Sequence, residues 1–248
     1  FTPAVTGGVR DTDFDNVTSV EVIDLADGGV NNVDLGDDAE AAGIRTINGG
    51  DNVDNIVGSD AAETINGADG ADDLNGGSGG DTITGGAGAD ELTGGDGDDD
   101  FVYDAVDQGG NVQAVGANAL TAGDDITDFT STADEVNVDA ITTNDTVDTL
   151  TQDGNDISAD GDAGQIILDG QNVDVGATTT SGDIGTAIGT VAGDNGDVAV
   201  FAIADNNGTA GDTADDVFNL FQVTLGAANG NAEALDGDDT ISLIGTVD

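Results

Sequence analysis

The sequence predicts an all-β protein, in which a parallel β-roll is flanked by additional β-strands that form a β-rich C-terminal region. Two observations lead to this prediction. A nine-residue pattern occurs six times in a row, without a gap, between Gly49 and Val102. Beyond it, apolar residues cluster in short runs typical of β-strands, such as VAVFAIA and VFNLFQVTL. We expect a β-strand lead-in at residues 1–39, the roll at residues 40–103 and a C-terminal domain at residues 104–248.

Three positions are regular within the repeat. The six units read GGDNVDNIV, GSDAAETIN, GADGADDLN, GGSGGDTIT, GGAGADELT and GGDGDDDFV. Position one is always glycine, position six is always acidic and position eight is always large and apolar. A flexible linker rich in glycine and aspartate is the alternative, but such a linker has no reason to place an apolar residue at every ninth position. The pattern fits the parallel β-roll nonapeptide, in which calcium binds between turns.

A period of nine suits one short strand and one tight turn, so that two repeats complete one coil of eighteen residues. We expect the position-eight side chain to point inward. Glycine dominates the turn because backbone with a positive φ is easily adopted only by glycine. Small turn residues also leave the backbone carbonyl oxygens accessible to an ion.

Stacking of alternate repeats predicts two columns of acidic side chains at position six. Neighbours in a column are about 4.8 Å apart, and two bare carboxylates at that distance repel by about 3.5 kcal/mol at an effective dielectric constant of 20. A divalent cation between them reverses the sign, and a flexible cage of oxygen ligands favours Ca²⁺ over Mg²⁺. Six repeats then give about four two-turn sites. The predicted carboxylate ligands are Asp54, Asp72 and Asp90 in one column and Glu63, Asp81 and Asp99 in the other.

Turn residues complete the predicted metal-binding set. They are Gly70, Gly77, Gly79, Gly86, Gly88, Gly95 and Gly97, together with the position-three aspartates Asp51, Asp60, Asp69 and Asp96. The first two repeats are the weakest candidates. Glu63 takes the place of the usual aspartate there, and Asn52 and Ala61 replace glycine.

Composition excludes several classes of function. The chain of 248 residues carries a formal charge of −50, with two arginines and neither Lys, His, Cys, Met nor Trp. Two cations cannot form a basic patch, so we do not expect a nucleic-acid partner. The lack of His and Cys removes the usual zinc ligands and the commonest general base, so we do not expect an enzyme. The chain contains no run of eighteen apolar residues, so we do not expect a transmembrane span.

The same composition raises the alternative of disorder, because strong charge with 3% aromatic residues is typical of unfolded chains. However, 37% of the residues are apolar and lie in β-type runs. We therefore expect a β-rich protein whose compact state needs counter-cations, since self-repulsion destabilises it without them.

A decayed nonapeptide precedes the six repeats at residues 40–48. Gly43 occupies position four and Ile47 position eight, but Arg45 stands in the acidic position. We expect no calcium in this unit. The guanidinium group either neutralises nearby carboxylates or is a chance surface arginine, and the sequence leaves both interpretations open.

Several β-strands are predicted outside the repeats. Short runs at residues 20–25 and 33–35 lead into the roll, and residues 123–138 suggest two strands joined by a polar turn. In the C-terminal region we expect a hairpin at residues 165–175 and a short helix at residues 181–191 with Ser181 as its N-cap. Apolar strands are expected at residues 198–204, at residues 217–225 and in the terminal run ISLIGTVD.

These residues resemble the repeats-in-toxin (RTX), or haemolysin-type calcium-binding, proteins of Gram-negative bacteria. The six nonapeptides carry the resemblance, together with GGDGDDDFVY, GDDITDF and DEVNV, over residues 40–138. It implies calcium as the bound ion, ligated by position-six aspartates and turn carbonyls. It also implies type I secretion through a C-terminal signal, folding outside the cell in calcium, and a location in the medium or on the cell surface.

Two functions are compatible with these features. One is a structural protein that self-assembles in calcium as a surface-layer, filament or matrix subunit, with copies of itself and cell-surface polysaccharide as candidate partners. The alternative is a secretion and folding module of a larger secreted enzyme or adhesin whose active part lies upstream. β-Strands throughout the chain favour the first, because strand edges can pair with neighbouring subunits.

Overall fold

The computed structural model describes part of the chain, and its described residues belong to two compact units. One unit comprises Phe1–Tyr103 and Asp124–Asn137, and the other comprises Asp104–Gly123 and Val138–Asp248. Compactness is not the same as independent folding, so the predicted three-part division stays a prediction. The described residues are 8–105, 108, 113–114, 123–129, 133–138, 156–157, 166–169, 181–182, 184, 190–191, 198–205, 217–226, 233–234 and 239–247.

The first unit is a parallel β-roll, which confirms the predicted fold class. Successive strands of the repeat region alternate between two sheets, and every pairing among the strands of this unit is parallel. Within this unit, the strands of the first sheet have the order β1 (Val9–Arg10), β3 (Asn31–Asp34), β5 (Asp54–Val57), β7 (Asp73–Ser78), β9 (Glu91–Asp96) and β12 (Asp124–Ile126). The second has the order β13 (Glu135–Asn137), β10 (Asp100–Val102), β8 (Thr82–Ala87), β6 (Thr64–Asp69), β4 (Thr46–Asn48) and β2 (Val22–Asp24).

The position-eight side chains form the core of the roll, as the repeat predicts. Each one pairs in register with the position-eight residue eighteen positions away, as Ile65 does with Ile83. Ile47 of the decayed unit joins the same row by pairing with Ile65. All of them are almost fully buried: Ile47, Ile56, Ile65, Leu74, Ile83, Leu92 and Phe101. Inward apolar rows of this kind give the roll its hydrophobic stabilisation.

The turns are glycine-rich because successive coils approach each other there at backbone distance. Gly86 has a φ of +103°, in the left-handed region where a side chain is strained. At Gly88, a Cβ atom would lie 1.6 Å from the carbonyl oxygen of Gly70 in the coil before. A side chain at either position would separate the stacked turns.

Two short helices, which the sequence pattern did not predict, lie between the strands that come before the six repeats. They are a 3-10 helix at Asp11–Phe14 and α1 at Asp37–Ala42. Asp11 accepts hydrogen bonds from the backbone N–H groups of Asp38 and Ala39, at 2.9 and 3.0 Å. These bonds satisfy free donors in the first turn of the helix. The local sequence does not indicate α1, because the carboxylate that caps it belongs to a residue far away along the chain.

Long antiparallel strands dominate the described part of the second unit. The predicted apolar strands are confirmed: β17 (Val198–Asp205) pairs antiparallel with β18 (Val217–Thr224), which pairs antiparallel with β20 (Thr240–Val247). Phe201 and Phe221 face each other in register and are buried. The strands are β11 (Gln113–Ala114), β14 (Asp156–Ile157), β15 (Ile166–Asp169), β16 (Thr190–Val191), β17 (Val198–Asp205), β18 (Val217–Thr224), β19 (Glu233–Ala234) and β20 (Thr240–Val247).

The predicted hairpin at residues 165–175 and the predicted helix at residues 181–191 fall only partly within the described residues. The first arm of the predicted hairpin corresponds to β15, and residues 170–175 lie outside the described residues. Ser181 is itself helical rather than the residue before the helix. Thr190–Val191 form a strand instead of the predicted helix end, as suits two β-branched residues.

Candidate metal centre

The acidic side chains of position six form two buried columns. In each column, the backbone N–H of one residue donates to a carboxylate oxygen of the residue eighteen positions later. Asp54 donates to Asp72 at 2.8 Å, and Asp72 donates to Asp90 at 2.8 Å. Glu63 donates to Asp81 at 2.7 Å, and Asp81 donates to Asp99 at 2.8 Å. The exposed fraction of these six side chains is 3% or less.

The second carboxylate oxygen separates the later repeats from the first two. Among the described residues, Oδ2 is buried and lacks a hydrogen-bond partner in four of these side chains: Asp72, Asp81, Asp90 and Asp99. A buried polar atom without a partner costs about 1–3 kcal/mol, and more when it is charged. Each Oδ2 lies against the position-one glycine of its own turn. At Gly76, for example, a Cβ atom would lie 2.3 Å from Oδ2 of Asp81.

In the first two repeats, by contrast, the carboxylate oxygens accept hydrogen bonds from donors of the protein itself. Oδ2 of Asp54 accepts the N–H of Gly50 at 2.7 Å, and its Oδ1 accepts the side-chain amide of Asn31 at 2.7 Å. The two carboxylate oxygens of Glu63 accept the hydroxyl and the backbone N–H of Ser59 at 2.5 and 3.0 Å. These two carboxylates are therefore satisfied without a metal ion.

Burial makes the negative charge of the columns costly. Loss of hydration raises the pKa of Asp72 and the pKa of Asp81 to about 6, and neighbouring carboxylates add to both shifts. Burial likewise raises the pKa of Asp90 and of Asp99. A bound cation would stabilise the charged forms of all four.

Arg45 lies at the beginning of the second column. Its side chain is exposed, and its guanidinium group donates to the carbonyl oxygen of Ile44. Burial raises the pKa of Glu63, while the hydrogen bonds from Ser59 and the charge of Arg45 act in the opposite direction. The charge of Arg45 acts on Glu63, although the arginine side chain itself is exposed, and both interpretations of Arg45 stay predictions.

The predicted turn residues fall into two groups. Carbonyl oxygens at positions two and four point toward the next coil: the oxygens of Gly77 and Gly79 would lie 1.9 and 1.4 Å from Cβ atoms placed at Gly95 and Gly97. Gly70 has the same relation to Gly88. The predicted glycines all lie where stacked turns meet: the carbonyl oxygens of Gly70, Gly77 and Gly79 approach Gly88, Gly95 and Gly97, and the carbonyl oxygen of Ala68 approaches Gly86. The position-three side chains of Asp51, Asp60, Asp69 and Asp96 are instead exposed.

The structure extends both columns by residues that the sequence analysis missed. Asp90 donates its backbone N–H to Asp124, and Asp99 donates its own to Asp134, each at 3.0 Å. Burial and the charge of Asp90 raise the pKa of Asp124 to about 8, whereas a hydrogen bond from Tyr103 lowers it. The available signal was short, since DDI and DEV each match only positions six to eight of the repeat.

The donor set fits a hard cation. Unpartnered carboxylate oxygens and turn carbonyls converge on the stacked turns, and the chain has no His or Cys. No three acidic side chains of the described ranges meet at one point, so each site would combine carboxylates with backbone carbonyls. Oxygen-only coordination of this kind is typical of Ca²⁺.

Comparison with known proteins gives one solved structure to report. The chain is similar to the solution structure of the AlgE6R3 subunit of the Azotobacter vinelandii mannuronan C5-epimerase, at 28% identity and a TM-score of 0.35. The match covers 51% of this chain and 67% of that one. No protein-family model and no curated protein matches the chain. Within the part of the chain that the structure describes, no helix has the length and apolarity needed to cross a membrane.

Proposed function

We propose that this chain is a secreted, calcium-binding structural protein of the repeats-in-toxin type. The observation that carries the proposal is the set of four buried, unpartnered Oδ2 atoms of Asp72, Asp81, Asp90 and Asp99. Bound calcium would supply the positive charge that these atoms lack. The nonapeptide sequence and the parallel β-roll support the same ion.

Calcium would then control folding. Extracellular calcium modules bind with dissociation constants of about 10⁻⁴–10⁻³ M. At a few-fold excess of calcium, each site adds about 1 kcal/mol to the free energy of unfolding. Four sites together add several kcal/mol, which is comparable to the typical stability of a domain, about 5–15 kcal/mol. The chain therefore stays largely unfolded at the low calcium concentration of the cytosol and folds after export.

Self-assembly is the second part of the proposal. Copies that each carry a formal charge of −50 repel one another unless cations neutralise them, so calcium would control association as well as folding. A surface layer, filament or matrix subunit has this behaviour.

Circular dichroism in millimolar calcium and in chelator tests the folding step. We expect a β-sheet spectrum in calcium and a largely unfolded spectrum in chelator, and identical folded spectra in both would contradict the proposal. Electron microscopy of the same samples tests assembly. Ordered lattices or fibres that dissolve in chelator support a structural subunit, whereas monodisperse particles in calcium contradict self-assembly and leave the module of a larger protein.

A further inference from the structure

The turn of the sixth repeat, residues 94–99, is the last nonapeptide turn of the roll, and two carboxylates from the segment after the roll lie against it. Asp128 accepts the backbone N–H of Gly94 at 3.0 Å and that of Gly95 at 2.8 Å. Asp134 accepts the backbone N–H of Asp99 at 3.0 Å. The last contact has the geometry of the column, although the two residues are thirty-five positions apart rather than eighteen.

An unpartnered and buried oxygen belongs to the same turn. Asp99 is 2% exposed, and its Oδ2 has no hydrogen-bond partner among the described residues. This atom lies on the inner side of the turn, since a Cβ atom at Gly94 would be 2.4 Å from it. It is a ligand-type atom in a position that water does not reach.

Backbone carbonyls supply the remaining donors. In the coil before, the carbonyl oxygens of Gly77 and Gly79 point at the sixth repeat, next to Gly95 and Gly97. We infer by extending this relation one turn further that the carbonyl oxygens of Gly95 and Gly97 face the residues next to Asp134. The next coil is thus replaced by residues that are not a nonapeptide but carry a carboxylate in the equivalent place.

We propose that this arrangement is a further calcium site, which we call the terminal site, with Asp99, Asp134 and the carbonyl oxygens of Gly95 and Gly97 as ligands. Asp128 is a positioning residue, because its carboxylate holds the N–H groups of the turn rather than the ion. The terminal site rests on the proposed function, since it uses the same turn chemistry. It differs in that one ligand comes from outside the repeats.

The terminal site would hold the segment that follows the repeats, residues 123–137, against the sixth repeat. Without the ion, this docking depends on the pairing of β13 with β10 and on contacts such as that between Phe101 and Phe129, whose ring centroids are 6.5 Å apart. With the ion, two ligands distant in sequence are held together, and the cost of closing the intervening loop grows only slowly with its length. Calcium would therefore order residues 123–137 as well as the repeats.

Calcium stoichiometry of the full chain, measured by equilibrium dialysis, tests the site. The variants are Asp134→Asn, which keeps an acceptor for the N–H of Asp99 but loses the charge, and Asp98→Asn as a matched control. Asp98 is exposed and belongs to the same turn. We expect Asp134→Asn to bind one calcium ion fewer than the wild type and Asp98→Asn to bind the same number. Equal stoichiometry and affinity in all three proteins would overturn the terminal site while leaving the proposed function intact. A wild type that binds no calcium would overturn both.

Hydrogen exchange gives a second measurement that does not depend on counting ions. In calcium, we expect backbone amides of residues 123–137 to exchange about tenfold faster in Asp134→Asn than in the wild type, with residues 67–93 unchanged. Asp128→Asn is expected to show the same local effect at a smaller size. If residues 123–137 exchange equally in the wild type and in Asp134→Asn while the repeats are protected, the terminal site is refuted.

Discussion

Acid should stabilise the calcium-free roll, because protons can neutralise the same carboxylates that calcium neutralises. The pKa of Asp72 and of Asp81 is about 6 in the folded chain, against an ordinary value of 3.8. A carboxyl group whose folded pKa is raised contributes stability that is fully present below about pH 4 and is lost as the pH rises through 6. The difference amounts to about 3 kcal/mol for each of these two groups.

Asp124 widens the pH window. Its pKa of about 8 means that its contribution to the stability of the metal-free roll keeps falling until about pH 8, and most of this contribution is already lost at pH 7. Together the three groups make the metal-free roll several kcal/mol less stable at pH 7 than at pH 4, a large fraction of the stability of a typical domain. The metal-free chain at pH 7 is therefore expected to lack a stable roll.

The assay is urea unfolding in chelator at several pH values between 7 and 4.5, followed by far-ultraviolet circular dichroism and by tyrosine fluorescence. Tyr103 is a specific reporter, because it is buried and is the only tyrosine of a chain that has no tryptophan. High salt at pH 7 is the control, since salt screens exposed charges but does not protonate buried ones. An unfolding midpoint that is equal at pH 7 and 4.5, or a gain that salt alone reproduces, would refute the reasoning.

Four substitutions, one of them a control, test the packing of the roll, each measured by urea unfolding in saturating calcium. Gly86→Ala should cost at least about 2 kcal/mol, because of its φ of +103° and because the new Cβ would lie 2.0 Å from the carbonyl oxygen of Ala68; Gly28→Ala, with nothing within 4 Å, should stay within about 0.5 kcal/mol. Similar costs for both would contradict the account of the turns. Ala68→Gly should gain up to about 1 kcal/mol, because Ala68 has a φ of +78°, and a loss would show that this backbone is not strained. Ile65→Ala should cost about 2–5 kcal/mol, since Ile65 is fully buried, and a cost below 1 kcal/mol would argue against a packed inner row.

The repeat itself was sufficient to predict the roll, because its period determines both the register and the side that each residue faces. Ile47 could be placed in the inner row for the same reason, even though Arg45 occupies the acidic position two residues earlier. The sequence predicted that the first two repeats are weaker calcium-binding candidates than the later four, but not the reason for the difference. That reason, hydrogen bonding of Asp54 and Glu63 by protein donors, depends on Asn31 and Ser59.

The features that the sequence analysis missed depend on contacts between distant segments. Asp124, the first residue of β12, and Asp134, the residue before β13, continue the columns because these strands pair with β9 and β10. A three-residue match cannot indicate this pairing in a chain so rich in aspartate. The helix α1 likewise depends on the carboxylate of Asp11. Local patterns predict elements well, but they do not identify a partner that arrives from elsewhere in the chain.

The most direct test of the central claim is a crystal structure of the full chain grown in calcium, with anomalous diffraction used to locate the ions. The account predicts calcium peaks about 2.3–2.6 Å from Oδ2 of four residues: Asp72, Asp81, Asp90 and Asp99. Peaks found only beside the exposed position-three aspartates, or a folded roll whose turns hold no calcium, would contradict it.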